Sequence, residues 1–424
     1  MQYNKTTLKN GLRIITAPMK DTQTTTIFVT VGVGSRYEEE EEAGISHFIE
    51  HMIFKGTKKR PNTQVIANEL DAIGGTFNAF TGKNRTAYYA KVDAKHFDIA
   101  LNVISDIFLN SKIETKEINR EKGTVLQELS MYKDMPMRTV EDDFERLLYG
   151  KQKLGREIIG YKKTITDFKR KDFTDYMDRF YIASDTVICV AGKISEQKVI
   201  AQLKKYFAKM KKGKKTEIEK VIEKQIVSKI KIKNKKTDQT HLILGVRTYD
   251  HRHKDRYALS LLSSILGGNM SSRLHIQVRE RQGLAYYIRT DGEAYQDVGY
   301  LMVGAGVEHK NLEKTIKIIL RELKKISAYK VSEKELQKAK NYIKGKSVMG
   351  LEPSDAVASY LADQEVMKNE ILIPDQVFKK IDKVTVNDIQ RVAKDIFVSK
   401  NLNLAVIGPH KEKEDSILKK LKFS

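Results

Sequence analysis

The feature that most constrains the fold of this chain is an internal repeat. The segment Ile165–Gly192 aligns without a gap on Ile381–Gly408. Both copies have the pattern of an amphipathic helix, a short polar turn and an apolar strand that ends in glycine. In each half of the chain this unit follows a stretch of strands and helices. The sequence therefore predicts a duplicated α/β module.

Length and local composition indicate where the two modules meet. A chain of 424 residues is too long for one ordinary core. A lysine-rich stretch of low hydrophobicity lies near the middle and is typical of a linker. We predict an N-terminal module at residues 1–209, a linker at 210–226 and a homologous module at 227–424. The predicted fold class is α+β, and each module is a mainly antiparallel sheet packed with helices.

The run His47-Phe48-Ile49-Glu50-His51 predicts a metal site. Ser46 is expected to cap the start of a helix here. On a helix, His47 and His51 are four residues apart and share a face, and two imidazoles at this spacing can bind one zinc ion. Glu50 lies close enough to that face to act on a water molecule at the metal. The order His-x-x-Glu-His is a recognised zinc-peptidase signature. The competing interpretation is two ordinary surface histidines beside a solvated glutamate.

A catalytic zinc ion needs a third protein ligand. His96 is one candidate, but it stands alone in a helical pattern. His251 and His253 are others, but their spacing fits an exposed loop better. Glu128 is the preferred candidate, because it lies on a long predicted helix in the same half as the histidine pair. Two histidines and one carboxylate are an established catalytic set.

The acidic run Glu38–Glu42 precedes the histidine helix. It could mark the start of that helix, but a solvated turn is the preferred interpretation. Further along, Gly74–Thr81 and Thr86–Val92 alternate as strands do, with turn residues between them. We predict a hairpin at this position.

Charge and cysteine content narrow the classes of function. The formal net charge is +22, but the lysines are widely spread and the chain has no tryptophan for base stacking. Lysine-rich solvated helix faces are therefore preferred over a nucleic-acid partner. No stretch has the length and apolarity of a membrane span, and the N-terminus lacks the apolar core of a signal peptide. The single cysteine, Cys189, excludes a disulfide framework. We predict a cytoplasmic protein without nucleic-acid or membrane partners.

The segment Arg120–Ser130, with Glu121 and Glu128 seven residues apart, joins the histidine signature in a family resemblance. Together they resemble the pitrilysin/insulinase family of zinc metallopeptidases, of the small-subunit type that includes the mitochondrial processing peptidase. The resemblance covers nearly the whole chain. It implies one Zn²⁺ per chain with these residue roles: ligands His47, His51 and Glu128, general base Glu50, and Glu121 as a carboxylate that orients a ligand histidine.

The same resemblance assigns substrate-binding residues in the first half. The segment Gly74–Thr81 is similar to the family's edge strand, where Asn78 and Ala79 would hold the substrate backbone by β-augmentation. Phe54 matches a residue that lines the pocket for the side chain after the scissile bond. Plain core packing is the alternative role for Phe54.

A second signature lies in the other half. The segment Gly267–Ile288 is similar to a family motif that implies Arg279 and Tyr286 as groups contacting the substrate and the oxyanion. Arg279 could instead be a surface arginine, and Tyr287 is the obvious rival of Tyr286.

The function implied by the resemblance is a zinc-dependent endopeptidase that hydrolyses peptides or unfolded polypeptides in an enclosed chamber. The family builds this clam-shell chamber from four modules, and this chain supplies two. The resemblance thus implies a homodimer, or a heterodimer with a related subunit. The alternative is a non-catalytic or partner subunit of a processing-peptidase-like complex. Such relatives typically lose a histidine or the glutamate of the signature, which this chain retains.

Overall fold

The computed structural model describes residues 1–410 and 413–423. The strands are β1 (Asn4–Thr7), β2 (Arg13–Pro18), β3 (Thr24–Val31), β4 (Thr76–Thr81), β5 (Thr86–Asp93), β6 (Thr186–Gly192), β7 (Lys229–Asn234), β8 (Thr240–Thr248), β9 (Ala285–Ala294), β10 (Gly299–Val307) and β11 (Asn403–Gly408). The helices are α1 (Ile45–Ile53), α2 (Thr63–Asp71), α3 (Phe97–Asn110), α4 (Thr115–Asp134), α5 (Pro136–Tyr149), α6 (Lys162–Asp167), α7 (Arg170–Phe180), α8 (Glu196–Phe207), α9 (Arg256–Gly267), α10 (Leu312–Ala328), α11 (Glu333–Gly350), α12 (Ser354–Lys368), α13 (Pro374–Asp382), α14 (Val386–Ile396) and α15 (Glu414–Lys420). None of these helices is long and apolar enough to cross a membrane.

These elements form two compact units. Unit 1 comprises residues 1–130, 156–219 and 348–374, and unit 2 comprises residues 131–155, 220–347 and 375–424, within the described ranges. Unit 1 contains a six-stranded sheet with the order β1-β2-β6-β3-β5-β4. Strands β2 and β6 are parallel, and the other neighbours are antiparallel. Strand β4 therefore lies at one edge of the sheet and β1 at the other.

The sheet of unit 2 repeats this topology. Its order is β7-β11-β8-β10-β9, with β7 and β11 parallel and the other neighbours antiparallel. This order matches β2-β6-β3-β5-β4 strand for strand. The repeat found in the sequence follows the same correspondence, since α7 and α14 begin at Arg170 and Val386, 216 residues apart (386 minus 170). The predicted α+β fold of two homologous modules is confirmed.

The boundaries of the two units differ from the continuous segments that we expected. Residues 131–155 belong to unit 2, and residues 348–374 belong to unit 1. The reason is hydrophobic packing. Helix α5 packs Phe144 and Leu148 into a cluster with residues of β8, β10 and β11. Helix α12 packs Leu361 and neighbouring apolar residues into a cluster with residues of β2, β3, β5 and β6. Residues 211–226, within the predicted linker, contain no helix or strand.

Only one of the two modules carries the histidine motif. Helix α1 follows β3 in unit 1, and α9 follows β8 at the corresponding place in unit 2. The sequence of α9, Arg256–Gly267, contains no histidine and no carboxylate. The two units therefore share a scaffold, whereas the one group of three potential metal ligands found among the described residues lies in unit 1.

Candidate metal centre

Helix α1 has two faces with different roles. Residues of the first face recur at helical spacing and are fully buried: Ile45, Phe48, Ile49, Met52 and Ile53. The other face carries His47, Glu50 and His51, followed by Phe54 at the C-cap. Because the apolar face is fixed in the core, the polar side chains project from a rigid element.

The start of α1 differs from the expected cap at Ser46. The helix begins at Ile45, and Gly44 occupies the N-cap with φ of 97°. A Cβ at Gly44 would lie 2.5 Å from the carbonyl oxygen of Ile159, so only glycine fits there. The Ser46 hydroxyl instead shares a hydrogen bond of 2.8 Å with that of Tyr176.

Glu38 takes over the capping role. Its two carboxylate oxygens accept hydrogen bonds from the backbone N–H groups of Gly44 (2.8 Å) and Ser46 (2.9 Å). The Glu38 side chain is fully buried, so the preferred interpretation of this run as a solvated turn is wrong at this position. Burial raises the pKa of Glu38 to about 8, although the hydrogen bonds from Gly44 and Ser46 act in the opposite direction. This carboxyl group ties the start of the histidine helix to the preceding loop.

Helix α4 brings a carboxylate to the histidine pair. The Oε2 atom of Glu128 lies 3.6 Å from Nε2 of His47 and 3.5 Å from Nε2 of His51. One potential ligand atom from each residue lies within 4.8 Å of the other two. Around a tetrahedral zinc ion with bonds of about 2.1 Å, ligand atoms are about 3.4 Å apart. The chemistry of this donor set and these two nitrogen–oxygen distances therefore fit zinc.

Glu121 holds the outer nitrogen of His51. Its Oε1 lies 2.9 Å from His51 Nδ1, and its Oε2 lies 2.6 Å from the Lys55 ammonium. An ionised carboxylate only accepts hydrogen bonds, so His51 Nδ1 carries the proton and Nε2 is left facing Glu128. Glu121 and Glu128 are two helical turns apart on α4, which places both on the same side of that helix.

The same contacts set the protonation equilibria of the pair. Burial lowers the pKa of His51, but the hydrogen bonds to Glu121 and Glu128 outweigh burial and raise it to about 9. Burial raises the pKa of Glu121, but its bonds to His51 and Lys55 leave that pKa below its ordinary value. Glu121 is therefore an ionised acceptor at neutral pH. Lys55 was not singled out from the sequence; it lies just beyond the end of α1, four residues after His51.

Glu50 is held by the neighbouring sheet. The Thr81 hydroxyl, at the end of β4, donates a hydrogen bond of 2.6 Å to Glu50 Oε2. Thr81 was also missed in the sequence, because it is 31 residues from Glu50 and no local spacing connects them. The structure thus places the predicted base between the metal-binding face of α1 and strand β4.

The residues predicted to bind substrate lie on or beside β4. Asn78 is exposed and pairs with Tyr89 in β5, so the other edge of β4 is not used within the sheet. The Asn78 side-chain oxygen accepts a hydrogen bond of 2.9 Å from the backbone N–H of Ala79. Phe54 is half-buried, and its ring centroid lies 6.0 Å from that of Phe77.

Comparison with known proteins gives the family. Residues 13–162 match the family model described as Insulinase (Peptidase family M16), and residues 167–343 match the model described as Peptidase M16 inactive domain. A protein of Rickettsia felis, named an uncharacterized zinc protease, is 35% identical over 409 residues, covering 96% of this chain and 98% of that protein. This chain belongs to the insulinase family, M16.

Other proteins resemble the chain over similar lengths. A Bacillus subtilis protein, also named an uncharacterized zinc protease, is 34% identical and covers 95% of this chain and 97% of its own. A solved structure of a Helicobacter pylori protease has a TM-score of 0.88 at 26% identity, covering 96% of this chain and 99% of that one. A structure from Pseudomonas fluorescens, titled as a peptidase M16 inactive domain, has a TM-score of 0.89 at 19% identity and bears on the fold alone. Its coverage is 96% of this chain and 98% of that chain.

The candidate metal ligands and the candidate base all lie in the first of the two M16 matches. The insulinase match contains both histidines, Glu50 and Glu128. The inactive-domain match begins at residue 167, after all of them. The alternative ligand candidates, His96, His251 and His253, belong to no comparable group of potential ligands in the described part of the chain.

The remaining predicted residues lie in unit 2. Arg279 is exposed on a π-helix, His275–Glu280, with its guanidinium 3.2 Å from His275 Nε2. Tyr286 is 77% exposed at the start of β9. The Tyr287 hydroxyl is hydrogen-bonded to His241 Nδ1 at 3.0 Å, so this rival of Tyr286 is engaged within its own unit. The roles of Arg279 and Tyr286 stay predictions.

Proposed function

We propose that this M16 protein is a zinc-dependent endopeptidase that hydrolyses peptides or unfolded polypeptides, with Glu50 as general base. The observation that carries the proposal is the approach of both histidine Nε2 atoms to one oxygen of Glu128, at 3.6 and 3.5 Å. The relatives named as zinc proteases support the same class of reaction. The proposed cofactor is one Zn²⁺ per chain, held by His47, His51 and Glu128.

Each protein group has a distinct part in the proposed reaction. When bound at this site, zinc would supply Lewis-acid polarisation of the peptide carbonyl and a more acidic water molecule. Glu121 keeps a proton on Nδ1 of His51, so Nε2 is the nitrogen that would bind the metal after losing its own proton. Glu50 takes a proton from the attacking water and delivers it to the leaving amine. The carboxylate is suited to this role because it sits on the ligand-bearing face of α1.

The proposed substrate position follows from the edge of the sheet. Among the described residues, β4 is the last strand of its sheet, and an extended peptide can add to its outer edge as a further strand. Asn78 and Ala79 would hold the peptide backbone there, and Phe54 would contact the side chain beyond the scissile bond. Main-chain recognition of this kind selects extended segments over folded proteins.

The proposed cellular compartment is inferred from composition, and the proposed oligomeric state is inferred from the family resemblance. We retain the cytoplasmic assignment because the one cysteine, Cys189, is a buried free thiol. We retain the homodimer, or a heterodimer with a related subunit, because two further modules would complete the chamber implied by the family.

The test is cleavage of a peptide library by the purified chain with and without a chelator, alongside zinc analysis. Chelation should abolish cleavage, and added zinc should restore it. Glu50→Gln should bind zinc as the wild type does, yet lose at least about 100-fold in turnover. Undiminished turnover would remove Glu50 as the base. A zinc-loaded wild type that cleaves no peptide would favour the partner-subunit alternative.

A further inference from the structure

Strand β4 contacts the polar face of α1 at two points. Phe77 packs its ring against Phe54, and the Thr81 hydroxyl donates a hydrogen bond to Glu50. Side chains on a strand alternate, so Phe77 and Thr81 lie on the same face of β4. Glu50 and Phe54 are four residues apart and share a face of α1. One face of the edge strand is therefore docked along the helix that carries the candidate base.

The hydroxyl of Thr81 is held in place by rigid surroundings. Its backbone is paired with Thr86 of β5, which anchors the end of β4 in the sheet. As a β-branched residue in a strand, threonine has few rotamers, so its hydroxyl has few directions available. Glu50 extends from a helix whose opposite face is packed in the core. The bond thus joins two elements that have little freedom to move apart.

The bond also restricts the carboxylate. A glutamate side chain has three rotatable bonds and would otherwise sample several orientations. The Thr81 hydroxyl donates a hydrogen bond to Oε2 of Glu50 at 2.6 Å, a length typical of a strong hydrogen bond from a hydroxyl to a carboxylate. The other oxygen, Oε1, is then the one available to a water molecule.

We propose that Thr81 is a positioning residue that holds the Glu50 carboxylate in the orientation needed for proton transfer. Through this bond, the strand proposed to bind the peptide backbone at Asn78 and Ala79 also fixes the group that acts on the water. A substrate strand added at the edge of β4 would be aligned with Glu50 by the same element. The inference rests on the proposed endopeptidase function.

The first test uses turnover of the zinc-loaded protein. Thr81→Val keeps the shape of the side chain and removes the donor, and should lower kcat about 10- to 100-fold with KM changed less than about twofold. Zinc content should stay at the wild-type level. Thr81→Ser restores the donor and should recover most of the activity. Thr7→Val is the matched control, because Thr7 is exposed on β1 at the opposite edge of the same sheet.

The outcomes of this first test separate a positioning role from a structural one. A wild-type kcat in Thr81→Val would overturn the proposal. Equal losses in the valine and serine variants would also overturn it, because the hydroxyl would then not be the important feature. Loss of zinc from Thr81→Val would assign the residue to the integrity of the site instead.

The second test does not depend on activity. A double-mutant cycle compares the urea midpoints of wild type, Thr81→Val, Glu50→Ala and the double variant. Thr81→Val should shift the midpoint more in the wild-type background than in the Glu50→Ala background. Additive shifts would mean that no bond joins the two side chains. If the wild type cleaves no peptide, the proposed function and the positioning role fail together, while a coupled cycle would still establish the bond.

Discussion

Nδ1 of His51 lies 2.9 Å from Oε1 of Glu121, and the other oxygen of that carboxylate lies 2.6 Å from the ammonium of Lys55. These two contacts fix the imidazole ring of His51, a candidate ligand, through the nitrogen that does not face Glu128. It also leaves Nε2 of His51 directed at Glu128, two turns further along α4. The candidate metal centre is therefore organised by a residue that need not contact the ion.

The first prediction concerns this outer carboxylate. Glu121→Gln replaces a charge-assisted hydrogen bond with a neutral one and no longer favours the Nδ1-protonated ring. Zinc affinity should fall about 10- to 100-fold, as measured by competition with a chromogenic chelator. Glu117→Gln, one turn earlier on α4 and paired with Arg120, is the control and should keep wild-type affinity. An unchanged affinity in Glu121→Gln would contradict the orienting role.

The second prediction concerns the third ligand. Glu128→Gln replaces an anionic donor with a neutral amide that binds zinc poorly. After dialysis against a weak chelator, this variant should retain clearly less than one zinc per chain, whereas the wild type should retain about one. Metal analysis of both proteins, with far-UV circular dichroism to verify folding, makes the comparison. Equal zinc content would mean that another group completes the site.

The third prediction concerns the buried carboxyl group of Glu38. Its pKa is raised from 4.5 to about 8, so the folded state binds more protons than the unfolded state between these values. Stability should therefore decrease as pH rises through this window, by up to about 1.4 kcal/mol per pH unit from this group. In Glu38→Gln this contribution to the slope should be absent.

Urea unfolding of chelator-treated protein at pH 5, 6, 7 and 8 measures this slope. Chelator treatment matters because zinc release would add its own pH dependence. His51 also contributes, since its raised pKa makes the folded state lose stability as pH rises from its ordinary value of 6.5 towards 9. The comparison is therefore between variants, with the exposed neighbour changed in Glu41→Gln as control. Parallel slopes in wild type and Glu38→Gln would show that Glu38 stays ionised throughout.

The fourth prediction concerns assembly. If two further modules are needed to enclose a substrate, the active species should have about twice the chain mass of 48.6 kDa. Light scattering coupled to size exclusion, with activity measured across the peak, tests this directly. Full activity in a strictly monomeric peak would refute the two-chain chamber, and activity only after adding a related subunit would favour the heterodimer.

The spacing of residues in the sequence was enough to predict the helices that carry the candidate metal ligands and the two-module architecture. The period of apolar residues around His47 and His51 predicts α1 and the shared face of its imidazoles. The seven-residue spacing of Glu121 and Glu128 places both on one side of α4. The gapless repeat predicts two related modules, and the two sheets have the same strand order. Each of these features follows from regular helix and strand geometry acting over a few residues.

The tertiary structure decided the features that depend on distant contacts. Glu38 looks like part of a solvated acidic run, yet it is buried because two backbone N–H groups at the start of α1 are available to it. Thr81 meets Glu50 only because β4 lies beside α1. Helix α5 lies in the first half of the sequence but packs its apolar residues in the core of unit 2. Helix α12 lies in the second half but packs in the core of unit 1. Periodicity specifies which face of an element is apolar, but the surface that covers that face is selected only when the whole chain packs.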